Sequence, residues 1–293
     1  MRFGKDRRQV IVAFALIPFL AGCATAGAQS TNRAPRSGGF NLYSPEQDVQ
    51  LGRQAAQQVE QQLPMVRSAR VDSYVEEVVA RLSEHAGGPN FRYQIQVVNA
   101  PEINAFALPG GFLYVNRGLL ESVRSEAELA GVLSHEIAHV ALRHGTKQAT
   151  KGAAAQTGLD LLSQILGRND RKAGEIAGVV GGLGLSAAFL KFSRDAEREA
   201  DQAGARMMAR AGYDPMAMAS FFDLLARQRR SNPGKVEQFF SSHPSPGDRA
   251  ALIRQAGYDR EYDGRDAQVG DIRVIQRELQ RMPAAPGPRR SSR

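Results

Sequence analysis

Ser125 to Leu142 read SEAELAGVLSHEIAHVAL, and this stretch decides what kind of domain the chain forms. Ser125 and Glu128 stand at capping-box spacing, and Leu129, Val132, Leu133, Val140 and Leu142 recur at helical intervals, so the spacing predicts a capped amphipathic helix. His135 and His139 then sit one turn apart, about 6 Å along the axis, and project from one face. Both imidazoles can therefore reach one ion, and zinc accepts such nitrogens at about 2.0–2.1 Å. Glu136 points beside the ion, where it can take a proton from metal-bound water. A chance match to this pattern in a chain of this length is of order one in a hundred. The expected cofactor is one Zn²⁺ per chain.

A catalytic zinc needs a third protein ligand and an open position. The chain has five histidines, His85, His135, His139, His144 and His243. None falls at the downstream spacing H-E-x-x-H-x-x-G-x-x-H, so a carboxylate is expected, and Glu197-Arg198-Glu199-Ala200-Asp201 offers candidates. Glu197 and Asp201 are four residues apart and share a helix face. Glu199 lies about 200° round from Glu197 and is assigned to solvent or a structural pair. His243 has two readings. It sits in Ser242-His243-Pro244, before a helix expected to be capped by Ser245 and started by Pro246, from where it could swing to the metal or stabilise a transition state. Alternatively it is a loop histidine packed against the domain. His144 and His85 are read as structural or surface residues.

Outward from this helix, 293 residues with 42% hydrophobic and 23% charged side chains, 29 Gly, 14 Pro, one Cys and no Trp exclude a collagen, a disulfide-stapled mini-protein and a wholly disordered chain. Ser44-Pro45-Glu46-Gln47 carries a cap, a first-turn proline and a glutamine at the third helical position, so a first helix starts there. A second is predicted from about Val71 to His85, stopped by Gly87-Gly88-Pro89. Phe91, Tyr93, Ile95 and Val97 alternate with polar residues as in a strand with one buried face, and two short strands follow at about Ala105 to Leu108 and Gly111 to Val115. From Arg117 onward the pattern is helical. The fold class is α+β, mostly helical, with a small β-sheet and no repeated unit. Ile176 to Leu190, apolar but interrupted by four glycines, is short for a membrane span and is read as a mobile element over the active site.

Both chain ends lie outside this domain. A basic start, an apolar run from Val10 to Leu20 and small residues before Cys23 have the order of a bacterial export signal. Leu20-Ala21-Gly22-Cys23 resembles the lipoprotein signal, which implies that residues 1–22 are removed and that Cys23, the single cysteine, carries the lipid. Ala24 resembles lipoproteins sent to the outer membrane. Residues 23–43 are read as a flexible tether, 44–282 as the catalytic domain and 283–293 as a disordered basic tail. The net charge of +8 would fall by three with residues 1–22, and Arg is interleaved with Glu and Asp, so no nucleic-acid partner is expected.

Four stretches together resemble one family: Asn104-Ala105-Phe106-Ala107-Leu108-Pro109-Gly110-Gly111, His135 to His139, Ser193-Arg194 through Asp201, and Ser242-His243-Pro244-Ser245-Pro246. This is the zinc metallopeptidase family of HtpX and the CAAX prenyl proteases, and the chain is most similar to its short, exported BepA/LoiP-like lipoprotein branch. The resemblance implies a zincin-like domain with Glu197 as third ligand, Asp201 orienting a ligand imidazole, and Asn104, Ala105, Phe106, Gly110 and Gly111 on an edge strand that holds an extended peptide. It further implies a periplasmic enzyme acting on unfolded or misassembled envelope proteins, with outer-membrane assembly machinery as a possible partner. The rival reading is a zinc-stabilised chaperone or assembly factor whose peptidase activity is shut or vestigial. The tetratricopeptide repeats of the BepA-like branch are absent from the sequence.

Overall fold

The computed structural model describes residues 40–152, 192–243, 248–264 and 267–284. The expected leader, Cys23, most of the tether, the apolar segment 176–190 and residues 285–293 of the tail lie outside the described residues. Helix α1 (Pro45–Gln62) begins with the full capping box between Ser44 and Gln47 that its sequence predicts, and α2 (Ala69–Ser83) follows. Strands β1 (Gln94–Val98), β2 (Ala105–Leu108) and β3 (Phe112–Asn116) form a sheet of order β1-β3-β2, with β1 parallel and β2 antiparallel to β3. A short α3 (Arg117–Ser122) leads to α4 (Glu126–Ala141), and residues 144–152 are helical again. Beyond these come α5 (Arg194–Arg210), α6 (Met216–Ser231), α7 (Glu237–Ser242), α8 (Arg249–Gln255) and α9 (Ile272–Arg281).

Alternation along the strands sorts their side chains into two layers. Ile95, Val97, Ala105, Ala107, Leu113 and Val115 face the main core with α2 and α4. Val98, Phe106, Leu108 and Tyr114 face the other way and pack with Ala55 and Ala56 of α1. The sheet is thus covered on both faces. Gly52 lets α1 settle directly on the β2–β3 turn, since a Cβ there would meet the Pro109 carbonyl oxygen at 1.8 Å.

Three expectations need correction. α4 is not amphipathic: apart from Ala127 its residues are buried all round, because the sheet and α2 cover one side and α5 and α6 the other. Its cap is half a box, since Ser125 accepts from the Glu128 amide while the Glu128 carboxylate takes the Arg124 amide and guanidinium instead. The helix after His243 is described from Arg249, with Asp248 at its cap, and the expected cap and first-turn proline, Ser245 and Pro246, lie outside the described residues. Ordered contacts also reach into the expected tether, where Asn41 and Leu42 bond Thr146 and Thr150. Among the described residues, no helix is long and apolar enough to cross a membrane.

Gly52→Ala is expected to lower stability by about 1–3 kcal/mol, the usual cost of forcing extra volume into a packed contact, measured by denaturant unfolding.

Candidate metal centre

α4 and α5 are brought together by a missing side chain. At Gly204 a Cβ would lie 3.1 Å from the His135 amide nitrogen and the Ser134 carbonyl carbon, so the two backbones meet beside the histidine pair. That contact places Glu197 and Asp201, one turn apart on α5, opposite His135 and His139. One ligand atom from each of His135, His139, Glu197 and His243 falls within 4.8 Å of the others, and all four residues are buried.

The outward nitrogens of the α4 pair fix what the inward ones present. His135 Nδ1 lies 2.9 Å from Asp201 Oδ1, an acceptor, which assigns the proton to Nδ1 and leaves Nε2 bare, with Arg249 Nη2 3.1 Å from Nδ1 and 3.3 Å from Nε2. His139 Nδ1 lies 2.8 Å from His144 Nδ1, and the other nitrogen of His144 faces Glu199 Oε2 at 3.3 Å. With His144 donating to Glu199, His139 also keeps its proton on Nδ1. The two Nε2 atoms then aim lone pairs at one another across 3.0 Å, with Glu197 oxygens 3.5 and 3.6 Å away. Burial holds His139 well below the usual histidine range, so a proton is a poor occupant. Two imidazole lone pairs and a buried carboxylate are the donor set of a divalent cation.

Burial opposes ionisation of Glu197, but the charge and hydrogen bond of His243, with the imidazoles of His135 and His139 beside it, outweigh burial and hold its pKa well below the usual carboxylate range. Its Oε2 has no aligned hydrogen bond, although Arg249 Nη1 stands 3.1 Å away as an ion pair. Burial raises the pKa of Glu136, with His243 opposing, and neither of its carboxyl oxygens has a hydrogen-bond partner. His243 links the two carboxyls, with Nδ1 2.9 Å from Glu197 Oε1 and Nε2 3.4 Å from Glu136 Oε1. Its own pKa is raised: burial would lower it, but the two glutamates prevail. Of its two readings, the structure places His243 inside the group.

Three further residues belong here that the sequence did not mark. Arg249 donates Nε to Asp201 Oδ2 at 2.8 Å and Nη2 to Oδ1, the oxygen that His135 also shares. Its guanidinium lies over the Phe222 ring at 4.0 Å. Phe192 stacks on His139 with ring centres 3.9 Å apart. His144 touches His139 directly, and Glu199, read as facing solvent or forming a structural pair, pairs with it. No spacing rule points to these residues, because each arrives from a separate turn or helix.

The expected peptide-binding stretch adjoins the site. β2 is an edge strand, and Leu108 at its end lines a small cavity with His139, Val140 and Phe192. Ala105 pairs with Val115, whereas Phe106 stacks on Tyr114 beneath α1. Asn104 is buried, and its Oδ1 has no partner. Gly110 and Gly111, both at positive φ, make the turn and pack against Val49 and Arg92. His85 lies in the turn after α2 and is not among the four grouped residues.

The model of peptidase family M48 matches residues 69–256. The chain belongs to that family. It is 27% identical over 257 residues to the beta-barrel assembly-enhancing protease of Escherichia coli (strain K12), covering 86% of this chain and 53% of that protein. It is 30% identical over 247 residues to the protein of that name from Yersinia pestis, covering 80% and 50%. The mitochondrial metalloendopeptidase OMA1 of Schizosaccharomyces pombe is 31% identical over 182 residues, covering 62% and 52%. The chain spans about half the length of these curated relatives. M48 membership places the buried His and Glu group in a chain of a peptidase family.

Arg249→Met removes the only hydrogen-bonded cation on Asp201 among the described residues, leaving a buried charge uncompensated. Stability of the metal-free protein is expected to fall by about 3–5 kcal/mol, read from urea unfolding.

Proposed function

We propose that this chain is a zinc endopeptidase of the bacterial cell envelope, held to a membrane through lipid on Cys23. The observation that carries this reading is the convergence of two bare imidazole nitrogens and an ionised Glu197 beside Glu136, a buried carboxyl whose oxygens have no hydrogen-bond partner. In this reading His135, His139 and Glu197 hold Zn²⁺, and Asp201 fixes the ring of His135. When bound, zinc supplies Lewis acidity that polarises the scissile carbonyl and acidifies water. Glu136 accepts the proton of the attacking water as the O–C bond forms. It then delivers that proton to the leaving nitrogen as the C–N bond breaks. Burial suits it to both halves, because a carboxyl whose pKa is raised takes a proton more readily than a solvated one and can still return it.

The outer edge of β2 is the place for the substrate. Among the described residues only β3 pairs with β2, and its end shares a cavity with His139. A peptide added there is held by main-chain bonds, with little dependence on sequence. That favours unfolded chains; the bacterial relatives' name speaks of beta-barrel assembly, and with the family resemblance it supports misassembled envelope proteins as their source and outer-membrane assembly machinery as a neighbour.

One observation favours a second reading. His243 stands among the four grouped residues, and a fourth fixed ligand would close the centre into its structural form. The protein would then act as a zinc-stabilised chaperone or assembly factor with shut peptidase activity.

Metal analysis with proteolysis of a disordered protein tests both. Wild type is expected to hold one zinc and to lose cleavage on chelation, and Glu136→Gln to keep the zinc while losing about 10²–10⁴-fold in turnover. Equal turnover by that variant would remove Glu136 from the mechanism. A gain of cleavage in His243→Ala means a gated enzyme; silence in both proteins with zinc bound supports the chaperone.

A further inference from the structure

We propose that His144 is a positioning residue for His139, and that a buried Asp48–Arg143 clamp from the N-terminal helix holds it there. On a continuous helix, residue 144 would lie about 140° round from residue 139 and could not touch it. The chain instead leaves the helix after Ala141, and Arg143 takes a left-handed backbone with φ of 58°. That reversal returns His144 to 2.8 Å from His139.

A non-glycine residue in this conformation persists only where its surroundings impose it. Here the imposing group is Asp48 on α1, whose side chain is almost fully buried. Arg143 donates Nε to Asp48 Oδ2 at 2.6 Å and Nη2 to Oδ1 at 3.0 Å, and Nη2 also reaches the Tyr43 carbonyl. Asn41 ties the next turn by donating to Thr146 Oγ1 at 3.0 Å. Residues 41–48 all precede residue 69, where the family match begins.

The clamp has a chemical consequence at His139. His144 Nε2–H faces Glu199, so His144 Nδ1 offers a lone pair and takes the Nδ1 proton of His139. His139 Nε2 is thereby kept bare toward Glu197. Without that acceptor, the alternative tautomer would put a proton where a ligand lone pair is needed. Partners of this kind typically govern metal affinity by about 10–100-fold. The inference rests on the metal site proposed above.

The test uses the full chain. Zinc affinity is measured by competition with a chromogenic chelator for wild type, His144→Leu, His144→Asn and Asp48→Asn, alongside the thermal midpoint of each metal-free protein. His144→Leu is expected to weaken zinc binding about 10–100-fold. His144→Asn, whose amide oxygen can accept the same proton, is expected to stay within about threefold of wild type. Asp48→Asn is expected to weaken binding less than His144→Leu, with a lower midpoint. Nitrogen-15 spectra of metal-free wild type, which involve no variant that could misfold, should show His139 as the Nδ1–H tautomer. A protonated Nε2, wild-type affinity in His144→Leu, or equal losses in the Leu and Asn variants would overturn the proposal. A wild type that binds no zinc would instead bring down the metal reading itself.

Discussion

Two imidazole nitrogens of one helix facing each other in a buried helix–helix seam, with a carboxylate from the other helix beside them, set the terms for everything around them. Bare acceptors that close are repulsive in a low-dielectric interior. They are held only because every outward atom of the pair is engaged: Asp201 on His135, His144 on His139, Phe192 flat against the second ring. The seam itself exists because Gly204 lets α5 approach the turn of α4 that carries the first histidine. Packing and chemistry are thus decided at the same contact.

The charge balance of the seam follows from the same geometry. Glu197 and Asp201 are both driven towards ionisation against the penalty of burial, and Arg249 is the hydrogen-bonded cation that faces them. Arg249 faces Asp201 and His243 faces Glu197, and the two imidazole nitrogens left bare beside them suit a dication better than a proton. Glu136, with no hydrogen bond on either oxygen, is pushed the other way. Two glutamates in one centre therefore have opposite protonation tendencies, set by which of them the cations and imidazoles reach.

Around this centre the sheet acts as a positioning device. Its inner face packs against α4, and α1 covers its outer face, so β2 is held at a fixed height beside His139 while its outer edge carries no strand among the described residues. α1 does more than cover apolar surface. Through Asp48 it grips the turn at Arg143, which links the upstream helix to the histidine it indirectly supports.

Local pattern was enough to find the histidine pair, the cap residues of α1 and α4 and the alternation of β1, because each depends on residues within one turn or one strand. The carboxylates on α5 were legible as a pair from their spacing, and the choice of Glu197 came from resemblance to a family. Position 249 gave no such sign, nor did 144 or 192, since an arginine six residues past a histidine or a phenylalanine ahead of a helix is ordinary in any chain. Their roles arise where separate segments meet: a left-handed arginine turns one residue back on its own helix, and α8 inserts a cation between two acids of α5. The sequence by itself determined which side chains could bind an ion and on which faces they would lie. Only the tertiary structure decided which neighbours hold them there, because burial and partner geometry are properties of chain crossings and have no period along the sequence.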